Sequence, residues 1–279
     1  MKLVDLARKF SRTFGGLTPA IWVISDLSEV SYERLLTSQS EASPALVAKV
    51  TEMAKRYRKG EPLQYLLGHW SFRELDLVTD ARALIPRPET EILVDVACSM
   101  VPKGSRSIGV DLGTGTGAVG LSLSASGRFA WVYLTDLSLA TLSLASLNVQ
   151  RNRTLLKSAV FLSRGSWFQA LPESLKHSCD LIVSNPPYIA SATIANLDAR
   201  VLFEPKLALD GGVSGLSCIL EILSGAPEYL KQNGSVVLEI GEDQGEVISE
   251  VATSFGYQDV LIRSDQTDRT RFVSARWNR

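Results

Sequence analysis

The sequence predicts an α/β fold: a mostly parallel sheet with helices on both faces, preceded by a small N-terminal helical domain. Three observations predict it. From Ser107 onward, apolar strand-like runs at 107–112, 131–135, 159–163, 180–184, 235–240, 259–263 and 271–276 alternate with helical stretches, the pattern of βα units. Up to about Gly60 the apolar spacing is instead helical. Finally, 279 residues are long for one compact domain and suit a large one plus a smaller one.

A content of 45% hydrophobic and 21% charged residues describes a folded protein with ample core material and excludes a disordered chain. With 29 basic and 30 acidic side chains the formal charge is −1, so no overall field draws the protein to nucleic acid or to a membrane, and neither is an expected partner. Cys98, Cys179 and Cys218 lack the paired spacings of a zinc site or redox couple. They read as reduced residues of a cytoplasmic protein with no metal. No run of about 18 apolar residues is present, and the N-terminus lacks a secretory h-region. Lys2, Arg8, Lys9 and Arg12 suit an organelle transit peptide, but Asp5 and the spacing of Leu3, Leu6 and Phe10 favour a structural helix.

The clearest N-terminal helix starts where Ser43 can cap and Pro44 suits the first position, with Leu46, Val50, Met53 and Tyr57 on one face; Gly60 ends it. Lys55, Arg56, Arg58 and Lys59 read as its solvated end. Between Gly68 and Asp80 the period nears two, through Trp70, Phe72, Leu75, Leu77 and Val78, as in a hairpin or extended linker. Domains are therefore expected at 1–67 (helical), 68–90 (hairpin and linker) and 91–279 (sheet). Pro86 and Pro88 restrict the chain ahead of a helix expected from Pro88 to about Met100, with Glu89 and Glu91 at its positive end.

The run from Ile108 to Gly117 is a buried strand leading into a loop with Gly113, Thr114, Gly115, Thr116 and Gly117 in succession. Glycines there let the backbone turn sharply and approach a ligand. Gly115, Gly117 and Gly120 also satisfy the dinucleotide-binding spacing, which would suggest a nicotinamide-dependent dehydrogenase. Asp111, just before the first glycine, opposes that reading: a negative group repels a pyrophosphate but suits a cationic ligand. S-adenosylmethionine, with its sulfonium and ammonium, has the right sign. Asp136 closes the next strand, where ligands bind in open α/β sheets, and its carboxylate can accept both hydroxyls of a ribose.

After the strand at 180–184 come Asn185, Pro186, Pro187 and Tyr188. The prolines fix φ and hold the preceding residues extended, giving a rigid edge rich in acceptors. An NH2 on a planar carbon is a poor nucleophile because its lone pair is delocalised. The Asn185 side-chain oxygen and the Pro186 carbonyl can each accept one of its N–H groups and aim the lone pair at a methyl donor, while Tyr188 can stack on the flat group. This chemistry leaves an adenine amine and a glutamine amide equally open.

The loop, Asp136 and the Asn185–Tyr188 turn resemble those of class I methyltransferases that modify amino nitrogens. Pro62 to Gly68, Leu84 to Glu91, Glu204 to Leu209 with Gly211 and Gly212, Glu239 to Gly241 with Gln244, and Asp268 with Arg269 resemble one family in particular, the release factor glutamine methyltransferases. The resemblance implies a seven-stranded class I fold and methyl transfer from S-adenosyl-L-methionine to the glutamine of a release factor's Gly-Gly-Gln motif. It also implies that Gly113 to Gly117 and Asp136 hold the cofactor, that Trp167 lies beside its adenine, and that Asn185 touches both ligands. Ser166 and Ser214 depart from the pattern, since relatives commonly carry acids there. A ribosomal-protein glutamine methyltransferase shares the turn but not Arg87 to Glu91, and ranks second. A DNA adenine methyltransferase is expected to carry a basic recognition surface, which a net charge of −1 does not supply.

Overall fold

The computed structural model describes residues 1–102 and 106–278. Met1–His69 and Asp198–Phe203 form one compact unit, Trp70–Leu197 and Glu204–Arg279 the other.

The first unit is helical: α1 (Leu3–Phe10), α2 (Leu17–Ser28), α3 (Tyr32–Thr37), α4 (Pro44–Arg58) and α5 (Leu63–Leu67). Leu6, Ile21, Ile24 and Leu35 are fully buried at its centre, alongside Phe14 and Val50. Helix α4 begins as its sequence predicts, with the Ser43 hydroxyl accepting the Leu46 N–H at 3.1 Å and Pro44 at the first position. Beyond its end the backbone turns at Gly60, where φ is +94°. Of the basic cluster, Lys55 pairs with Glu52, Arg56 with Glu61, and Arg58 donates to the Thr13 hydroxyl. The segment Asp198–Phe203 belongs here through Arg200, whose guanidinium lies 4.7 Å over the Tyr57 ring, and through Phe203, 3.1 Å from where a Cβ on Gly60 would stand.

The second unit starts with a hairpin, β1 (His69–Phe72) and β2 (Leu75–Val78), followed by α6 (Thr90–Ser99). Helix α6 begins two residues later than expected because Pro88 sits in a tight turn, where the Thr90 N–H reaches the Arg87 carbonyl and the Glu91 N–H the Pro88 carbonyl, both at 3.1 Å. Then come β3 (Ser107–Leu112), α7 (Ala118–Ala125), β4 (Phe129–Asp136), α8 (Leu139–Arg151), β5 (Ala159–Arg164), β6 (Cys179–Ser184), α9 (Ser217–Tyr229), β7 (Leu230–Glu239), α10 (Gly245–Ser254), β8 (Gln258–Ser264) and β9 (Thr270–Trp277). All seven expected strands are present, in the order β5-β4-β3-β6-β7-β9-β8. Strands β3 to β7 pair in parallel and β9 runs antiparallel to both its neighbours. Strand β7 starts five residues early: its polar entry, with Asn233 at φ +63°, is absorbed by a register shift against β6.

The near-continuous apolar runs of the central strands follow from burial on both faces. Val110, Leu112, Ile182, Val236 and Leu238 pack with Ile219, Ile222 and Leu223 of α9. Val132, Leu134, Leu181, Val183 and Val237 pack on the opposite side with Leu93 of α6 and Leu121 of α7. Strand β3 has β4 on one side and β6 on the other, so the chain reverses its direction of build there and opens a crevice at the strands' carboxyl ends.

Two buried asparagines on α8 stitch the hairpin to this crevice. Asn148 accepts the Val78 N–H at 2.6 Å and donates to the carbonyls of Val78 and of Thr116 in the glycine loop, at 3.1 and 2.8 Å. Asn152 accepts from the Asp76 N–H and donates to the Asp76 carbonyl. The two side chains thus complete the hydrogen bonding of a strand edge that would otherwise be buried unpaired.

Candidate active site

At that crevice lies a cavity of about 270 Å³ lined by Gly113, Thr114, Gly115, Thr116, Asp136, Ser166, Trp167, Asn185 and Pro187, among others. The glycine loop and the asparagine-proline turn, 68 or more positions apart in the sequence, thus share one space because β3 and β6 are neighbours. Gly117, Pro186 and Tyr188 are not in the lining: Gly117 makes the turn into α7, Pro186 is buried, and Tyr188 packs against the sheet core.

The loop owes its path to glycine. Gly113, Gly115 and Gly117 have φ of +70°, +58° and +88°, which side-chain-bearing residues rarely adopt. Gly120 serves packing instead: a Cβ there would stand 2.7 Å from the Leu134 Cδ1. The dinucleotide-like spacing therefore has a steric origin, the close approach of α7 to β4.

Asp111 is buried and takes the Thr114 hydroxyl at 2.6 Å and the Gly120 N–H at 2.9 Å on one oxygen. Burial pushes its carboxyl up to about 6, against those two hydrogen bonds. Asp136 takes the Gly115 N–H at 3.1 Å on Oδ2 and the Ser138 N–H at 2.9 Å on Oδ1, and burial raises its pKa as well. Each Asp136 oxygen keeps acceptor capacity beyond its backbone contact.

Trp167 stands in the left-handed region at φ +45°, at the start of a short turn spanning Trp167–Ala170. That turn folds back so tightly that a Cβ on Gly165 would meet the Ala170 nitrogen at 2.7 Å. Its indole N–H donates to Glu221 at 3.0 Å, and its ring lies 3.4 Å from where a Cβ on Gly113 would be. Trp167 thus lines the cavity in a backbone conformation that residues other than glycine rarely adopt.

At the turn, the Asn185 NH2 is 3.2 Å from the Thr90 hydroxyl, Thr90 is 2.7 Å from Glu239, and the Tyr188 hydroxyl is 3.4 Å from the other Glu239 oxygen. The Tyr188 carbonyl receives the Gln244 side-chain NH2 at 3.0 Å, while Gln244 accepts the Gly241 N–H. Glu204, also buried, accepts the Ile85 N–H at 2.9 Å and pairs with Arg87, tying the strand-to-helix segment to the cavity rim.

A family model described as lysine methyltransferase matches residues 99–197, the stretch holding the loop, Asp136, Trp167 and the turn. Across longer spans, the release factor glutamine methyltransferase of Synechocystis sp. is 37% identical, over 80% of this chain and 75% of its own length. That of Thermosynechococcus vestitus is 35% identical over 96% of this chain and 89% of its own. The chain belongs to the release factor glutamine methyltransferase family. As a member it is an S-adenosylmethionine-dependent enzyme. The lysine methyltransferase match covers less than half of the chain. The two relatives span 80% and 96% of it. At low identity only the fold is shared: a methyltransferase from Pyrococcus furiosus superposes with a TM-score of 0.54 at 17% identity, covering 83% of this chain and 98% of its own. A ribosomal protein L11 methylase from Lactobacillus delbrueckii subsp. bulgaricus does so with 0.50 at 16%, covering 74% and 95%.

The methyltransferase's cavity fits its cofactor on the residues present. The loop offers backbone without side chains at Gly113 and Gly115, Asp136 offers a carboxylate with spare lone pairs, and Trp167 offers a flat wall. Thr90, Glu239 and Gln244 were not among the site residues expected from sequence. Their only signal was membership of sequence blocks shared with the family, because 149 positions separate Thr90 from Glu239. No helix is long and apolar enough to cross a membrane, and no metal-ligating cluster occurs, among the described residues.

Proposed function

We propose that this enzyme methylates the side-chain amide nitrogen of the glutamine in the Gly-Gly-Gln motif of a peptide chain release factor. The observation that carries the reading is that Asp136 and Asn185 line one cavity in a chain so similar to release factor glutamine methyltransferases. Gly113 to Thr116 and Asp136 would hold S-adenosyl-L-methionine, with Gly117 turning the chain into α7 and Trp167 against the cofactor's base. When bound, the cofactor supplies an electrophilic methyl group on a sulfonium.

The chain's own residues do the rest by positioning. The Asn185 Oδ1 and the Pro186 carbonyl each accept one amide N–H, turning the nitrogen lone pair toward the methyl and stabilising positive charge as it develops. Tyr188, packed against the sheet core, braces the turn through its hydroxyl toward Glu239 and its carbonyl to Gln244. The nitrogen would take up the methyl group that the cofactor supplies, and its extra proton would leave to water. No base is required first, and alignment alone accounts for about 7 to 11 kcal/mol of barrier. Ser166 also lines the cavity.

The helical domain at 1–67 serves substrate recognition, 68–90 is the hairpin and linker, and 91–279 is the methyltransferase domain. A release factor substrate puts the enzyme's work in the cytoplasm and needs no direct nucleic-acid contact. Mass spectrometry of purified release factors after incubation with labelled cofactor tests the reading, with one added methyl on the motif glutamine expected. Label appearing only in a ribosomal protein would transfer the assignment to the sister family, and tight NAD binding without S-adenosylmethionine binding would refute methyl transfer.

A further inference from the structure

The side chain of Asn185 ends in an oxygen and an NH2 of nearly equal size, and only one of its two orientations is useful to this reaction. With the oxygen toward the cavity it accepts a substrate N–H; reversed, it sets donors against donors. Its own backbone does not choose between them.

The choice is made by two buried groups from distant parts of the chain. A carboxylate only accepts, so at 2.7 Å the single hydrogen of the Thr90 hydroxyl is committed to the Glu239 Oε2. The Thr90 oxygen is left with lone pairs alone. At 3.2 Å from it, Asn185 must present its NH2, and the oxygen is turned to the other side.

We propose that Thr90 and Glu239 are positioning residues that fix the Asn185 amide with its oxygen toward the substrate nitrogen. The proposal rests on the methyl-transfer reading of this turn. Glu239 also receives the longer Tyr188 contact on its second oxygen, so the first and last residues of the turn hang on one carboxylate at the end of β7. Glu239 is faced by Glu89 from the segment before α6, by Arg271 of β9, and by Thr90 and Tyr188 themselves. Burial foremost, with Glu89, pushes its carboxyl up to about 7, against the Thr90 bond, Arg271 and Tyr188. Once protonated, Glu239 can donate to Thr90, which frees the Thr90 hydrogen for Asn185 and permits the reversed amide. The orientation is therefore held by the ionised carboxylate.

The test uses the full chain with S-adenosylmethionine and a release factor, comparing Thr90→Val, Thr90→Ser and Glu239→Gln. Thr90→Val is expected to lower kcat about tenfold or more while the cofactor Kd stays within about threefold, because the lost alignment matters in the transition state. Thr90→Ser, which keeps the hydroxyl, is expected to recover kcat to within about threefold of wild type. Wild-type kcat should rise between about pH 6 and 8, through the titration of Glu239, and Glu239→Gln should be slow with no such rise. Full kcat in Thr90→Val, or equal damage in Thr90→Ser and Thr90→Val, overturns the proposal. Where Thr90→Val fails to fold, a wild-type pH profile that Glu239→Gln leaves unchanged overturns it equally. Wild-type enzyme that methylates no release factor refutes the underlying reading instead, a result visible before any variant is compared.

Discussion

The Oδ2 of Asp136 accepts the backbone N–H of Gly115 at 3.1 Å, so the acid that ends one strand also holds the glycine loop leaving its neighbour. The proposed cofactor contact and the shape of the loop are thereby joined in one side chain. Asp136→Ala is expected to weaken S-adenosylmethionine binding by about 10- to 100-fold, the worth of one hydrogen bond to a charged group. Calorimetric titration measures it, and unchanged affinity removes Asp136 from the cofactor site.

Asn185→Ala should act on rate rather than on binding. Removing one acceptor aimed at developing charge costs about 10²- to 10³-fold in kcat. Cofactor Kd is expected to stay within about threefold, and single-turnover methylation separates the two effects.

Gly120→Ala tests the steric origin of the loop spacing. The new Cβ would stand 2.7 Å from Leu134, which is fully buried, and 3.1 Å from the Asp111 carboxylate. Forcing a methyl into that contact is expected to cost about 1 to 3 kcal/mol. A denaturant midpoint equal to wild type would show that α7 and β4 separate freely.

Stability should fall as pH rises across the neutral range. Glu239 is raised to about 7 and Asp111 to about 6, both chiefly by burial, and Asp136 is raised too. Groups whose folded pKa lies above the unfolded one bind protons more tightly in the native state. Their contribution is complete below the ordinary carboxylate range and lost as pH climbs through about 7. Asp265, held low by Thr267 and Arg269, acts only at the acid end. Urea unfolding of cofactor-free protein should give a lower midpoint at pH 8 than at pH 5, and Glu239→Gln should flatten part of that slope.

How much could be read from sequence followed the range of the interactions. The seven strands, the Ser43–Pro44 helix start and the glycine loop are local patterns, and all of them are present. The late start of α6 and the early start of β7 depend on a proline turn and a register shift that no apolar period encodes. Asn148 and Asn152 look like ordinary polar positions on a helix, and only the fold sets them against a hairpin edge 70 and 76 residues away. Thr90 and Glu239 stayed invisible as a pair for the same reason: one hydrogen bond closes a gap of 149 positions.

The segment Asp198–Phe203 joins the helical unit although both its flanks belong to the sheet unit. That unit is consequently not a contiguous stretch of gene. Cutting after residue 69 would separate Phe203 from Gly60 and Arg200 from Tyr57, so neither half would keep its full set of packing partners. Swapping N-terminal regions between relatives would leave this hexapeptide behind with the wrong partners.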